Sequence, residues 1–444
     1  MYKHPSNPLP HSSRRRFLQG TAAATAILFN PHAAFAGVPG DDALPPAFSS
    51  LKPLGSRVHP ILAEEFQRRL QRAQQLMAEP PRLAASQSPV PKYDGLFLAP
   101  GTSLYYFTGI RWGLSERLLG LVLPRTGQPI LIVPAFEEGR LREKLRFPIE
   151  VRVWQEDESP TKLAAVALAD RGIHSGRIAI EEGTAFTFFD HLREAAATLE
   201  CVSADPVTIA CRAHKSPHEL ELMRLACEAT FDVFRAVFAS LKAGMSQDDI
   251  AHLVEAGFSK MGLHGGALVL LGASAALPHG SLKPQNLKEG DVVLIDGGCT
   301  VEGYESDVTR TGVLGKPSEN VSRAFEIVRK AQDAALDAAR AGRLSGTVDD
   351  AARAVITGAG YGPDYKFFTH RLGHGIGLDG HEHPYLVRGS KTVLEPSMTF
   401  SNEPGIYIPG EFGMRCEDDM VIEAEGAAQL LTQGFGVSLE KPFG

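Results

Sequence analysis

No stretch of this sequence is both long and apolar enough to cross a bilayer. The run from Gly20 to Phe29 falls well short of the ~20 residues a spanning helix needs, and no later segment reaches that length. Cysteine is scarce. Cys201, Cys211, Cys227, Cys299 and Cys416 are the whole complement, none in a CxxC pair or zinc-finger spacing. Five scattered thiols exclude a disulfide framework, although an oxidising compartment would permit one bridge. Positive charge is also in short supply, with 45 Lys and Arg against 52 Asp and Glu. A chain so balanced lacks the basic face of a nucleic-acid partner.

The positive charge that is present is partly concentrated at the start. Ser13-Arg14-Arg15-Arg16-Phe17-Leu18, the apolar run and then Ala34-Phe35-Ala36 follow one another. Basic region, apolar core and small-residue cleavage site in that order read as an export signal, and the paired arginines resemble the twin-arginine type. Cleavage is expected after Ala36, with a periplasmic or exported product. Without residues 1–36 the chain keeps 41 basic and 52 acidic residues, a balance of −11. The remaining 408 residues exceed what one core normally serves, so two domains are expected.

Residues 37–59 are rich in Pro, Gly, Ala and Ser and read as a linker or loosely held arm. From Ile61 to Leu76 spaced aliphatic residues suit an amphipathic helix. Apolar runs at 95–98, 119–123, 129–133 and 177–180 read as strands, with helical stretches near 161–171 and 186–199. This alternation predicts an α/β domain. In the second half, Ser216-Pro217 starts one helix and Ser246 precedes another over 248–261. Strand-like residues 266–313 follow, then helices over 318–341 and 347–359, then strands over 393–425. Helix pairs followed by strands, twice, predict an α+β architecture with helices layered on a mainly antiparallel sheet.

One stretch is missing an expected residue. HRLGHGIGLDGHEHP, residues 370–384, spaces His370 and His374 as a zinc-protease helix would, but Arg371 stands where the general-base glutamate belongs. Gly373, Gly375 and Gly377 each cost about 1 kcal/mol in a helix. The stretch is therefore extended or looped, and its histidines need partners from elsewhere.

Two hairpins offer them. In LIDGGCTVEGYESDVTRTG, residues 294–312, a turn at Val301-Glu302 sets Asp296 opposite Asp307, and one at Glu302-Gly303 sets them a diagonal apart. Either register leaves both on one face. In residues 399–422, Glu403 and Glu417 flank a turn containing Pro409-Gly410. They share a face only if the loop is odd in length or carries a bulge, and the odd loop is the expected one. It turns Cys416, like Cys299, away from the carboxylates. Buried like charges at short range repel unless protonated or bridged by a cation. Oxygen donors with one histidine suit a pair of divalent ions, which sit about 3.5–4 Å apart in such sites and lower the pKa of a shared water toward ~7.

These residues carry a resemblance. Ala276-Leu277-Pro278-His279-Gly280, Asp296-Gly297-Gly298, Ser306 through Thr311, His370 through Glu382, Asn402-Glu403-Pro404-Gly405 and Arg415-Cys416-Glu417-Asp418 resemble, in order, the motifs of the M24 metallopeptidases. These pita-bread enzymes include aminopeptidase P, prolidase and methionine aminopeptidase. Residues 60–205, with Leu104-Tyr105-Tyr106-Phe107-Thr108-Gly109-Ile110, resemble more weakly the creatinase-like amino-terminal domain of the proline-directed members. The resemblance implies a creatinase-like domain over 60–209 and a pita-bread domain over 210–444.

It also implies roles. Asp296, Asp307, His374, Glu403 and Glu417 would hold two divalent ions, manganese first, cobalt or zinc otherwise, with Asp307 and Glu417 bridging. His279 and His381 would lie beside the scissile bond, Glu403 would relay the nucleophile's proton, His370 would line the pocket and Arg415 would contribute to substrate binding. The implied reaction is hydrolysis of Xaa-Pro bonds in dipeptides or at the amino terminus of peptides, by a protein that is often a homodimer in this family. The alternatives are a hydrolase of the same scaffold acting on another amide or C–N bond, metal-free creatinase chemistry, and a binding module without activity. The last two predict missing ligands, whereas all five are present.

Overall fold

The computed structural model describes residues 44–80, 91–431 and 438–443. The export signal with its cleavage position after Ala36, and residues 37–43 of the expected linker, lie outside them. Residues 44–59 are not a loose arm. Short 3-10 turns at Pro46–Ser50 and Gly55–Arg57 present Phe48, Leu51 and Leu54 to the core, each less than a tenth exposed. The prolines that suggested a linker fix the backbone between these apolar anchors.

The amino-terminal half runs α1 (Ala63–Ala78), β1 (Gly95–Leu98), α2 (Thr102–Thr108), β2 (Gly120–Pro124), β3 (Ile130–Pro134), α3 (Glu138–Lys144), β4 (Glu150–Trp154), α4 (Pro160–Asp170), β5 (Gly176–Ile180), α5 (Phe186–Ala195), β6 (Leu199–Ser203) and α6 (Asp205–Ala213). Its mixed sheet has the order β4-β3-β2-β1-β5-β6. Helices cover both faces, which is why its central strands read as continuous apolar runs rather than as alternation. Phe97, Val122 and Ile132 face Ala164, Leu168 and Phe188 of α4 and α5. Leu96, Leu121 and Leu131 face the opposite way, into the core that holds Phe66, Leu70 and Met77 of α1.

The carboxy-terminal half runs α7 (Pro217–Phe238), α8 (Gln247–Lys260), β7 (His264–Leu271), β8 (Val292–Val301), β9 (Tyr304–Glu305), β10 (Val308–Val313), α9 (Glu319–Ala338), α10 (Ser345–Gly358), β11 (Gly373–Gly375), β12 (Glu382–Leu386), β13 (Thr399–Asn402), β14 (Gly405–Ile408), β15 (Phe412–Arg415), β16 (Asp418–Val421) and β17 (Gln429–Leu430). As expected from the sequence, Ser216 caps α7 reciprocally with Glu219, and Pro217 occupies its first turn. Helices α7 and α8 pack on the antiparallel sheet β10-β8-β7, while α9 and α10 share a core with the sheet β12-β11-β13-β16-β17. Among the described residues no helix is long and apolar enough to cross a membrane.

Candidate metal centre

Hairpin register brings the carboxylates together. Glu302 and Gly303 both have positive φ, at 51° and 88°, the signature of a two-residue type I′ turn. Val301 pairs with Tyr304, so Asp296 faces Thr309 and lies one diagonal from Asp307, the second of the two expected registers. On the other hairpin, Ile408 pairs with Phe412 across the three-residue loop Pro409-Gly410-Glu411. The loop is odd. Asn402 pairs with Asp418 in the same frame, so Glu403 and Glu417 are opposite each other. Cys416 and Cys299 are turned into the apolar core.

His374 arrives on β11, a strand and not a helix. The glycines around it serve the packing of neighbouring backbone rather than the donors themselves. A Cβ at Gly373 would lie 2.1 Å from the Ser401 carbonyl oxygen, and one at Gly375 2.6 Å from that of Glu382. His374 Nδ1 lies 3.0 Å from the Gly375 carbonyl oxygen and donates to it, leaving the Nε2 lone pair facing the carboxylates. Nε2 is 3.4 Å from Glu403 Oε1 and 3.7 Å from Asp307 Oδ2.

Three overlapping sets of donor atoms result, each within 4.8 Å: Asp296, Asp307 and Glu417; His374, Glu403 and Glu417; Asp307, His374 and His381. All five expected ligands converge, with His381 beside them. Their proton count is short. Thr309 Oγ1 lies 2.7 Å from Asp296 Oδ1 and 2.6 Å from Glu417 Oε2, yet one hydroxyl proton can serve one of them. Burial, followed by the charges of Asp296, Asp419 and Glu403, pushes the Asp307 carboxyl well above the usual range. Burial, then Asp307 and Glu403, does the same to Glu417. Burial also carries Glu403 up to about 8. At Asp296 burial acts upward too, but Arg415, Thr309 and Glu417 together outweigh it and the pKa falls. This donor set, oxygen-rich with one neutral imidazole and more negative charge than its protons can quench, fits divalent cations.

A stability consequence follows. Carboxyls with raised folded-state values bind more protons folded than unfolded, so they destabilise metal-free protein as pH rises from the ordinary carboxylate range, ~4.3, through the Glu403 value of about 8. Chelated protein is expected to melt at progressively lower temperature from pH 5 to pH 8, and the metal-loaded form is not. Asp296 acts in the opposite direction only at more acid pH. Parallel thermal melts check this; identical pH profiles with and without chelator would contradict it.

Around the donors, Arg415 is buried and binds Asp296, Thr309 and Tyr407 at once, with 3.0 Å from its Nε to Thr309 Oγ1 and 2.8 Å from Nη1 to the Tyr407 oxygen. Tyr407 donates to His370 Nε2 at 2.8 Å, and His370 Nδ1 donates to the Arg371 carbonyl oxygen at 2.7 Å. Burial, then Arg415, lowers the His370 pKa to about 3, so the ring is neutral. His381 stacks on His374 with ring centroids 3.7 Å apart and is itself exposed. His279 is exposed on the loop after the 3-10 turn Gly272–Ala276. Sequence reasoning assigned no role to Thr309 or Tyr407. Strand periodicity could have found them, since Thr309 is two residues from Asp307 and Tyr407 four from Glu403, each on the same face as that acid.

Comparison with known proteins agrees. Metallopeptidase family M24 matches residues 221–424, and the creatinase/prolidase N-terminal domain matches 69–214. An Xaa-Pro dipeptidase of Pyrococcus furiosus is 32% identical over 340 residues, which cover 76% of this chain and 93% of that protein. The chain belongs to metallopeptidase family M24. The Mycobacterium tuberculosis protein described as a probable dipeptidase, PepE, is 34% identical over 353 residues, covering 78% of this chain and 92% of the relative. Among solved structures, dipeptidase PepE from Mycobacterium ulcerans superposes with a TM-score of 0.76 at 33% identity, covering 85% of this chain and 98% of that one. A prolidase from Thermococcus sibiricus gives 0.74 at 31%, covering 84% and 98%. The M24 chain thus has the creatinase-type amino-terminal domain and the pita-bread catalytic fold expected from its motifs, and its family implies a dinuclear metal site.

Proposed function

We propose that this M24 hydrolase cleaves Xaa-Pro bonds in dipeptides or at the amino terminus of short peptides. The observation that carries the proposal is the convergence of Asp296, Asp307, His374, Glu403 and Glu417 into overlapping donor sets beside His381. Those five side chains would hold two divalent ions, manganese first. When bound, such ions supply Lewis acidity and acidify a shared water. The chain's own residues do the rest. Glu403, opposite Glu417 and at the edge of the buried set, takes a proton from the attacking water and returns it to the departing amine. His381, exposed and held flat against His374, donates to the oxygen on which charge develops. His279 contacts the group after the scissile bond, and His370, fixed by Tyr407 and Arg371, walls the pocket.

Proline selection has a physical motive, because an Xaa-Pro bond offers no amide hydrogen and a fixed φ, so a pocket must grip the ring instead. The names of the Pyrococcus and Thermococcus relatives support this reading. The test is a substrate panel on chelated enzyme with manganese added back: Xaa-Pro dipeptides, longer Xaa-Pro peptides and Xaa-Ala controls. Xaa-Pro turnover at least about tenfold above Xaa-Ala is expected, a difference of about 1.4 kcal/mol. Equal turnover of the Xaa-Ala controls would remove the proline assignment and keep the hydrolase.

A further inference from the structure

His381 is the last residue of the loop between β11 and β12, and among the described residues no hydrogen bond holds its ring. The ladder reaches its neighbour Glu382, which pairs with Gly375 just past the register shift between His374 and Gly375. Besides backbone bonds such as Glu305 N–H to the Gly377 carbonyl oxygen at 2.7 Å, the loop is held through the side chains of the two residues that straddle the histidine, Asp379 and Glu382. Arg212 Nη2, from the last turn of α6, donates to Asp379 Oδ2 at 2.6 Å and to Glu382 Oε2 at 2.5 Å. The remaining oxygens are taken as well. Thr102 Oγ1, at the start of α2, donates to Asp379 Oδ1 at 2.5 Å, and Lys215 Nζ donates to Glu382 Oε1 at 2.5 Å.

We propose that Arg212 is a positioning residue that holds His381 over the metal centre by stapling both sides of its loop to the amino-terminal half. The inference rests on reading His381 as the group that acts beside the scissile bond. Three points on geometry support it. The side chains of Arg212, Lys215 and Glu382 are only 14%, 2% and 7% exposed, so little solvent competes for the Glu382 bonds, while Asp379 is 42% exposed. Both bonds leave one nitrogen, Nη2, whose two N–H groups have fixed directions in the guanidinium plane where those of an ammonium rotate freely, which gives the loop an orientation and not merely an attraction. The loop backbone is packed against the same staple, since a Cβ at Gly377 would lie 2.7 Å from Glu382 Oε1 and 2.8 Å from Lys215 Cε. The amino-terminal half therefore reaches the reaction through this loop, beside its contacts from Tyr105 and Arg69 to the β8–β9 turn, without touching the donors of the metal centre.

The test is a double-mutant cycle on metal-loaded enzyme with an Xaa-Pro dipeptide, using Arg212→Met, His381→Ala and the pair. Arg212→Met is expected to lower kcat by about 10–100-fold, the range for groups that orient active-site side chains, with KM moved by less than about threefold and metal content unchanged. In the His381→Ala background the same substitution is expected to cost less than about twofold. A penalty of equal size in both backgrounds, or one confined to KM, would overturn the proposal in favour of a general structural role or direct substrate contact. Because Arg212→Met leaves the buried Glu382 and the part-exposed Asp379 each short of a partner, Thr102→Val is the second variant. It removes one bond and no charge. A loss of about 2–5-fold in kcat is expected, again absent without His381, and a silent Thr102→Val overturns the staple. Arg212→Lys should recover part of the Arg212→Met loss. Full activity of His381→Ala would instead sink the reading of His381 itself, and the positioning role with it.

Discussion

Replacing Asp307 with alanine is expected to lower kcat/KM by at least about 10³-fold, a loss of about 4 kcal/mol of transition-state stabilisation, and to lower metal content in the purified protein. The expectation comes from its place in the donor sets. Asp307 belongs to two of the three, one with Asp296 and Glu417 and the other with His374 and His381. A side chain whose function were substrate contact would change KM and leave the metal in place. The same substitution has an opposite effect on the metal-free fold. Asp307 suffers repulsion from Asp296, Asp419 and Glu403 on top of its burial, so its removal relieves the cluster. Chelated Asp307→Ala should therefore melt at or above chelated wild type while being all but inactive when metal is supplied. Elemental analysis with paired melts measures both. A variant that retains metal and a tenth of the activity would dissolve the assignment of Asp307 as a shared ligand.

Arg415→Met is the second large effect. Arg415 is 4% exposed and is the cation paired with Asp296, beside its bonds to Thr309 and Tyr407. Breaking a buried pair by deleting one partner typically costs about 3–5 kcal/mol, because the remaining charge has nowhere to go. The metal-free protein should show that loss in denaturant unfolding, with metal restoring part of it by giving Asp296 a new counter-charge. Activity should fall with it, since Tyr407 loses the donor that aligns it toward His370. Arg415→Lys keeps the charge but not the three-way geometry and should lie between. Unchanged unfolding in Arg415→Met would mean that Asp296 does not depend on this guanidinium.

Much of this arrangement was legible before coordinates. Hairpin parity set Asp296 with Asp307 and Glu403 with Glu417, and the resemblance to the M24 motifs brought the two pairs together with His374. Helices α7 and α8 announced themselves through Ser216 and Ser246, whose hydroxyls satisfy first-turn amides. Strands β4 and β6 did not. Glu150-Val151-Arg152-Val153-Trp154 and Leu199-Glu200-Cys201-Val202-Ser203 are the two edges of their sheet and carry charge or partial exposure, so no apolar run marked them. The end of α5 was overextended for the same reason: residues 199–203 look like a fading helix until β5 gives them a partner. Proline content at 44–59 suggests a linker, but the spacing of Phe48, Leu51 and Leu54 is what packs the segment onto the core. The Arg212 staple was out of reach altogether. Partners 167 and 170 positions apart leave no trace in local pattern.

The β13–β16 and β14–β15 ladders share a single frame, closed at its tip by Pro409, Gly410 and Glu411. That frame is a matter of pairing and not of loop length: cross-strand partners share a face however many residues join them, so insertions confined to the tip leave both acids in place, whereas a one-residue slip of β14 against β15 would bring Cys416 opposite Glu403 and turn Glu417 away.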